Sequence, residues 1–179
     1  MVYVFLADGF EEIEALAVVD VLRRAGMSVS TVGVTGKVVR GSHDIPVVAD
    51  TEDIALDSEL EMIVLPGGIP GTPNLDSSDM VQRAIDYCVD NDIPMAAICA
   101  APTIYGKRGL LRGKNAVCYP GMEEDMLGAN IVSDGVCVDG RMITSKSAGH
   151  AISLGLAIVE YLLDKETAED VRFKMYQDR

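Results

Sequence analysis

Short apolar runs, each stopped by a glycine or proline turn, alternate along this chain with longer stretches of helical period. Val2 to Ala7 is apolar throughout and stops at Asp8-Gly9, the pattern of a strand buried on both faces of a parallel sheet. Glu11 to Ala25 contains no glycine or proline, carries carboxylates in its first turn and Arg23 and Arg24 in its last, and meets Gly26 as a terminator. That arrangement predicts a helix. Met27 to Val34 and Met62 to Leu65 predict strands, the second stopped by Pro66-Gly67-Gly68. Met80 to Val89 has helical character. Met95 to Ile98 is again short and apolar, and Pro102 falls where a first helical turn accepts proline. Residues 131–145 predict short strands around Asp139-Gly140, and Ala151 to Leu163 a closing helix.

Strand and helix in alternation favour a mainly parallel sheet with helices on both faces, an α/β fold whose ligands sit beyond the carboxyl ends of the strands. Three loops then become candidates for a site: Asp8 to Glu11, Pro66 to Gly71, and Cys99 to Pro102. A chain of 179 residues without repeats or linkers is expected to form one domain over 1–179.

Composition narrows the function. The chain is 49% hydrophobic and 24% charged, ordinary for a globular protein. Its net charge of −13 repels phosphate backbones and anionic headgroups, so neither nucleic acid nor a membrane is an expected partner. No apolar run approaches the roughly 18 to 20 residues of a membrane span, and no basic segment precedes the first apolar stretch, which points to the cytoplasm. Cys88, Cys99, Cys118 and Cys137 form no CxxC pair and no metal spacing with His43 or His150. They are expected to be reduced thiols, with neither a metal nor a cofactor involved.

Cys99 stands apart from the other three because it follows a strand and precedes a helix. Unpaired amides and the positive end of that helix favour its thiolate. Cys88 in a helix, and Cys118 and Cys137 in strands, are expected to be packing residues. At about 100° per residue, Glu14 falls among Val18, Val21, Leu22 and Ala25 on the inner face of the first helix, with Glu12, Asp20 and Arg23 on the solvent side. An inward carboxyl must be paired, hydrogen-bonded or neutralised. A protonated Glu14 could donate to the Cys99 thiolate, although Glu11 and Glu14 also simply suit a helix amino terminus. Gly67-Gly68 lets backbone amides approach an oxyanion near the sulfur, but matches no phosphate-binding fingerprint.

Five ordered segments resemble the ThiJ/PfpI superfamily, in the branch of the parkinsonism-associated deglycase and its bacterial relatives. They are Gly9-Phe10-Glu11-Glu12-Ile13-Glu14, Val19-Asp20-Val21-Leu22-Arg23-Arg24-Ala25-Gly26, Val64-Leu65-Pro66-Gly67-Gly68, Ala96-Ala97-Ile98-Cys99-Ala100-Ala101-Pro102 and Leu156-Ala157-Ile158-Val159-Glu160. The resemblance implies a flavodoxin-like three-layer sandwich, a homodimer, and a cysteine on a strained nucleophile elbow beside a protonated glutamate. It assigns the last two to Cys99 and Glu14. It further implies backbone donors at Gly68 and Ala100, and Arg24 contributed by a partner subunit. The implied activity is cofactor-free, cysteine-dependent chemistry on small reactive carbonyls, of the glyoxalase or deglycase kind. The alternative is an oxidative-stress sensor or redox-responsive chaperone using oxidation of Cys99. Two positions depart from the branch: Tyr119 replaces a common histidine, and His43 replaces a common arginine that holds anions. No histidine follows Cys99, which disfavours a peptidase. The resemblance also places the segment of His150 near the pocket, which makes it a further candidate proton acceptor.

Overall fold

Residues 1–176 are described by the structure, a computed structural model; the last three positions of the expected 1–179 domain lie outside the described residues. The first half of the chain runs β1 (Val2–Leu6), α1 (Glu12–Arg24), β2 (Val29–Gly33), β3 (Val38–Arg40), β4 (Pro46–Val48), β5 (Met62–Leu65), α2 (Gly71–Asp76) and α3 (Asp79–Asp90). The second half runs β6 (Met95–Ile98), α4 (Pro102–Lys107), β7 (Asn115–Ala116), β8 (Asn130–Ile131), β9 (Val136–Asp139), β10 (Met142–Ser145), α5 (Ala151–Leu162) and α6 (Lys165–Lys174).

One sheet of order β2-β1-β5-β6-β10-β9 forms the centre. All its neighbours pair in parallel except β9, which pairs antiparallel with β10. Taken in chain order, the parallel strands have the 2-1-3-4-5 order of the flavodoxin-like fold. Strands β1, β5 and β6 are apolar and buried throughout because both their faces are covered, and the alternation of side chains divides them between two cores. Val2, Val4, Leu6, Val64 and Ile98 pack with α1, α5 and α6. Tyr3, Phe5, Ile63, Leu65 and Ala97 pack on the other face with α3 and α4. The result is a three-layer sandwich. Among the described residues no helix is long and apolar enough to cross a membrane.

Two elements lack the period that would announce them. The β3–β4 ribbon has three-residue strands that are mostly exposed, and it forms a separate sheet. Helix α6 has a polar composition and buries Ala168 and Val171 alone. Cys118 also differs from expectation: it lies beyond the two-residue β7 rather than within a strand, and is buried there.

The segment after β4 is tied to the sheet through Asp50. Its Oδ2 accepts from the Thr31 amide and hydroxyl, both at 2.8 Å, and from Arg23 at 2.6 Å. Burial would raise this carboxyl, but the Thr31 donors and the Arg23 charge outweigh it and hold the group below its usual range. A lowered folded-state pKa contributes stability that is complete above the unfolded value of about 3.9 and lost as pH falls through the folded one. Urea midpoints measured from pH 6 to pH 2 are expected to fall in acid for the native protein. Asp50→Asn is expected to flatten that acid limb.

Candidate active site

The strand order reverses between β1 and β5, so a crevice opens beyond their carboxyl ends. The loop after β1 leads into α1 and delivers Glu14. The loop after β5 supplies Gly67 and Gly68, and the turn after β6 supplies Cys99. Three loops distant in sequence therefore meet because their strands are neighbours.

Helix α1 starts where expected. Glu11 is its N-cap, accepting the Glu14 amide at 2.7 Å, and Gly26 follows its end with φ of 77°. Val18, Val21 and Leu22 are buried, and Glu14 is 1% exposed on the same inner face. Glu14 Oε2 accepts the Gly67 amide at 2.9 Å, the Ala148 amide also serves the carboxylate, and the Cys99 thiol is in hydrogen-bond contact with it. Burial pushes the Glu14 carboxyl up to about 7, aided by the Glu11 charge and opposed by its hydrogen bonds.

Cys99 has φ of 64°, in the left-handed region that a residue with a Cβ enters at a cost of about 1–3 kcal/mol. Its neighbours hold it there: its amide donates to Ser145 O at 2.9 Å, and its carbonyl accepts from the Tyr119 amide at 2.7 Å. This is the strained elbow. Gly67 must lack a side chain, because a Cβ would lie 2.7 Å from both Cys99 Cβ and Glu14 Oε2. Gly68, with φ of 96°, turns its amide toward the sulfur, as does Ala100.

The charge state of the thiol differs from the sequence-based expectation of a lowered pKa. Burial, then the Glu14 charge and its hydrogen bond, push Cys99 up to about 12, against the pull of the Ala100 and Gly68 amides. Helix α4 has only six residues, a small dipole beside a buried carboxylate. Cys88, raised to about 12, and Cys118, raised to about 11, are also driven up by burial. What distinguishes Cys99 is its company. Negative charge on Glu14 opposes charge on the sulfur, so the pair gives up one proton readily and resists losing the second.

The chain matches the DJ-1/PfpI family over residues 1–161. It belongs to that family. Protein DJ-1 homolog B of Arabidopsis thaliana is 39% identical over 171 residues, which are 93% of this chain and 39% of that longer protein. A protein named a deglycase from Pyrococcus abyssi is 31% identical over 156 residues, 83% of this chain and 90% of its own length. Among solved structures, a cysteine-to-alanine mutant of a DJ-1 superfamily protein from Salmonella typhimurium superposes with a TM-score of 0.93 at 31% identity. That match covers 99% of this chain and 98% of the other.

The remaining candidates of this DJ-1/PfpI chain are arranged less simply. Tyr119 fixes the elbow through its backbone, while its side chain is about half exposed. The His150 ring packs against Gly135, and its Nδ1 lies 3.3 Å from Ser147 Oγ; the neighbouring Ala148 amide is what reaches Glu14. Arg24 pairs with Asp20 at 2.6 Å, ten residues and so about 15 Å along α1 from Glu14.

His43 faces carboxylates rather than the sulfur. Its Nδ1 lies 2.8 Å from Glu12 Oε2, and its amide donates to Glu12 Oε1 at 2.8 Å. Glu12, expected at the solvent, is consequently 5% exposed. The loop after β3 closes over the start of α1 and buries it, a long-range contact that helical period cannot register. Burial would raise the Glu12 carboxyl, but the donors of His43 outweigh it and hold it below the ordinary range.

Proposed function

We propose that this chain is a cofactor-free cysteine enzyme that converts small reactive carbonyls such as methylglyoxal to hydroxy acids, in the manner of a glyoxalase or deglycase. The observation that carries the reading is the contact of Cys99 with a buried carboxyl raised to about 7. Such a carboxyl is a proton donor and acceptor at neutral pH. The deglycase name of the Pyrococcus relative supports the same substrate class.

The Cys99 proton passes to Glu14 as the sulfur attacks the aldehyde carbon, and the Gly68 and Ala100 amides stabilise the developing oxyanion. Glu14, after returning its proton to that oxygen, removes the hydrogen of the former aldehyde carbon as a proton. It delivers that proton to the adjacent carbon while the hydroxyl proton on the first carbon passes to the neighbouring oxygen, leaving a thioester of the hydroxy acid. Water then hydrolyses the thioester and frees the thiol. One molecule of water is consumed, and the internal oxidation and reduction cancel, so no external oxidant is needed.

The sign of the pH dependence follows from Glu14. Below about 7 the pair holds both protons; above it, one negative charge is shared across the hydrogen bond and can reside on sulfur. Alkylation of Cys99 by iodoacetamide, read by mass spectrometry, is expected to rise with a midpoint near that value. In Glu14→Gln this step should vanish and the rise should move to higher pH. An unchanged profile in the variant would dismiss Glu14 as the proton acceptor.

The proposed assembly is a homodimer. Ile13 and Leu16 leave an exposed apolar strip on α1, which a second copy would cover, and Arg24 would then reach the partner's pocket rather than its own.

The second reading, a sensor of oxidation, is favoured by Tyr119 standing where a catalytic histidine is expected. Attack of the thiolate on one peroxide, and of the resulting sulfenate on a second, each releasing water, would give a sulfinate with its oxygens held by Gly68, Ala100 and protonated Glu14.

A further inference from the structure

Glu11, Glu12 and His43 lie beside the thiol pocket, yet the ring and the two carboxylates have no step in the chemistry of Cys99. Their donor atoms, one from each residue, all lie within 4.8 Å of one another. They come from two separate segments, the start of α1 and the loop after β3, brought together by the fold. We propose that these three side chains form a binding site for a divalent transition-metal ion of the zinc class.

The spacing suits such an ion. His43 Nδ1 is 2.8 Å from Glu12 Oε2 and 3.7 Å from Glu11 Oε1. Donors bonded tetrahedrally at about 2.0–2.2 Å stand roughly 3.4 Å apart, between those two separations. A hydrogen bond explains the first distance. The second is too long for one, so pairing of His43 with Glu12 does not account for the Glu11 oxygen that faces the same ring nitrogen.

Each carboxylate is also oriented from behind. Glu11 Oε2 accepts the Glu14 amide at 2.7 Å, and Glu12 Oε1 accepts the His43 amide at 2.8 Å. The other oxygen of each is left on the side of the ring, the kind of outer support that holds metal ligands in place. Gly41 makes room for this: a Cβ there would lie 2.2 Å from a Glu12 oxygen.

The donor set selects the class of ion. One imidazole nitrogen with two carboxylate oxygens suits zinc and its transition-metal neighbours better than magnesium or calcium, which require more oxygen donors. The incoming ion displaces the proton that Nδ1 donates to Glu12, leaving a neutral ring protonated on Nε2 whose Nδ1 lone pair binds the metal, and water completes the fourth position. The arginine that His43 replaces could pair with the same carboxylates but has no lone pair to offer a metal.

Calorimetric titration of the metal-free protein with Zn²⁺ tests this in the Cys99→Ser background, where the thiol cannot bind the ion. One Zn²⁺ per chain is expected there. Adding His43→Arg should weaken binding at least about tenfold while the melting temperature holds, because arginine keeps a cationic donor to Glu12. Adding Glu11→Gln instead should weaken binding as well, and the amide oxygen can still cap α1. Absence of Zn²⁺ binding in Cys99→Ser would assign the ion to the thiol and overturn the proposal. Binding unaltered by both added substitutions would overturn it equally. Neither readout depends on carbonyl turnover, so the site and the proposed enzyme stand or fall separately.

Discussion

Cys99→Ser is expected to bring methylglyoxal consumption down to the rate of buffer and free-thiol controls, a loss of about a thousandfold or more on the scale of removing a nucleophile. A serine hydroxyl is a far weaker acid than a thiol, and a carboxylate that titrates near 7 cannot hold enough of it ionised to attack. The geometry should survive: serine, like cysteine, carries a Cβ at φ of 64°, and the Ser145 and Tyr119 backbone contacts do not involve the side chain. An unchanged melting temperature with abolished turnover is therefore the expected pair of results. The other three cysteines supply the internal control. If carbonyls were lost to thiols in general, removing one of four would lower the rate by about a quarter, and that outcome would sink the catalytic reading.

Phe10→Ala should have the largest effect on stability. Phe10 is completely buried in the core on the α1 side of the sheet, and its backbone joins two loops by donating to Ala7 O at 2.9 Å and accepting from Ser42 N at 2.8 Å. Truncating a buried phenylalanine costs about 3–5 kcal/mol through lost burial and the cavity left behind. For a chain of this size that lowers the melting temperature by roughly 6–20 °C. The cavity would open directly beneath the first turn of α1, so Glu14 should also lose its tight placement, and the pH midpoint of Cys99 alkylation should blur. Phe173→Ala offers the contrast. Phe173 is 77% exposed on α6, and its removal should change stability by less than about 0.5 kcal/mol. Equal destabilisation by the two variants would contradict the described core.

How far the chain announces its own structure varies with the range of the interactions. Strands β1, β5 and β6 are legible as uninterrupted apolar runs because both faces of each are covered, and α1 is legible because caps and a terminating glycine are written within a few residues of its ends. The β3–β4 ribbon and α6 are not, since neither buries enough apolar surface to impose a period. Within the site, Cys99 is marked by its place after a strand, and Glu14 by its place on the apolar side of α1.

Local pattern thus determined the parallel sandwich and singled out a thiol and a carboxyl as candidates. Their meeting was decided by the order of the strands: β1, β5 and β6 lie side by side, which brings together a carboxyl and a thiol 85 positions apart. The fold also decided their charge: Glu14 is raised, as its inner-face position implied, whereas the Cys99 thiol is raised against expectation. Burial raises both groups and makes them share one proton, because desolvation depends on everything packed around a residue. Glu12 and His43 carry the same lesson, since the loop that buries one with the other is distant in sequence. Helical period describes which neighbours a residue has along its own element, and a buried charge is settled by those it acquires from others.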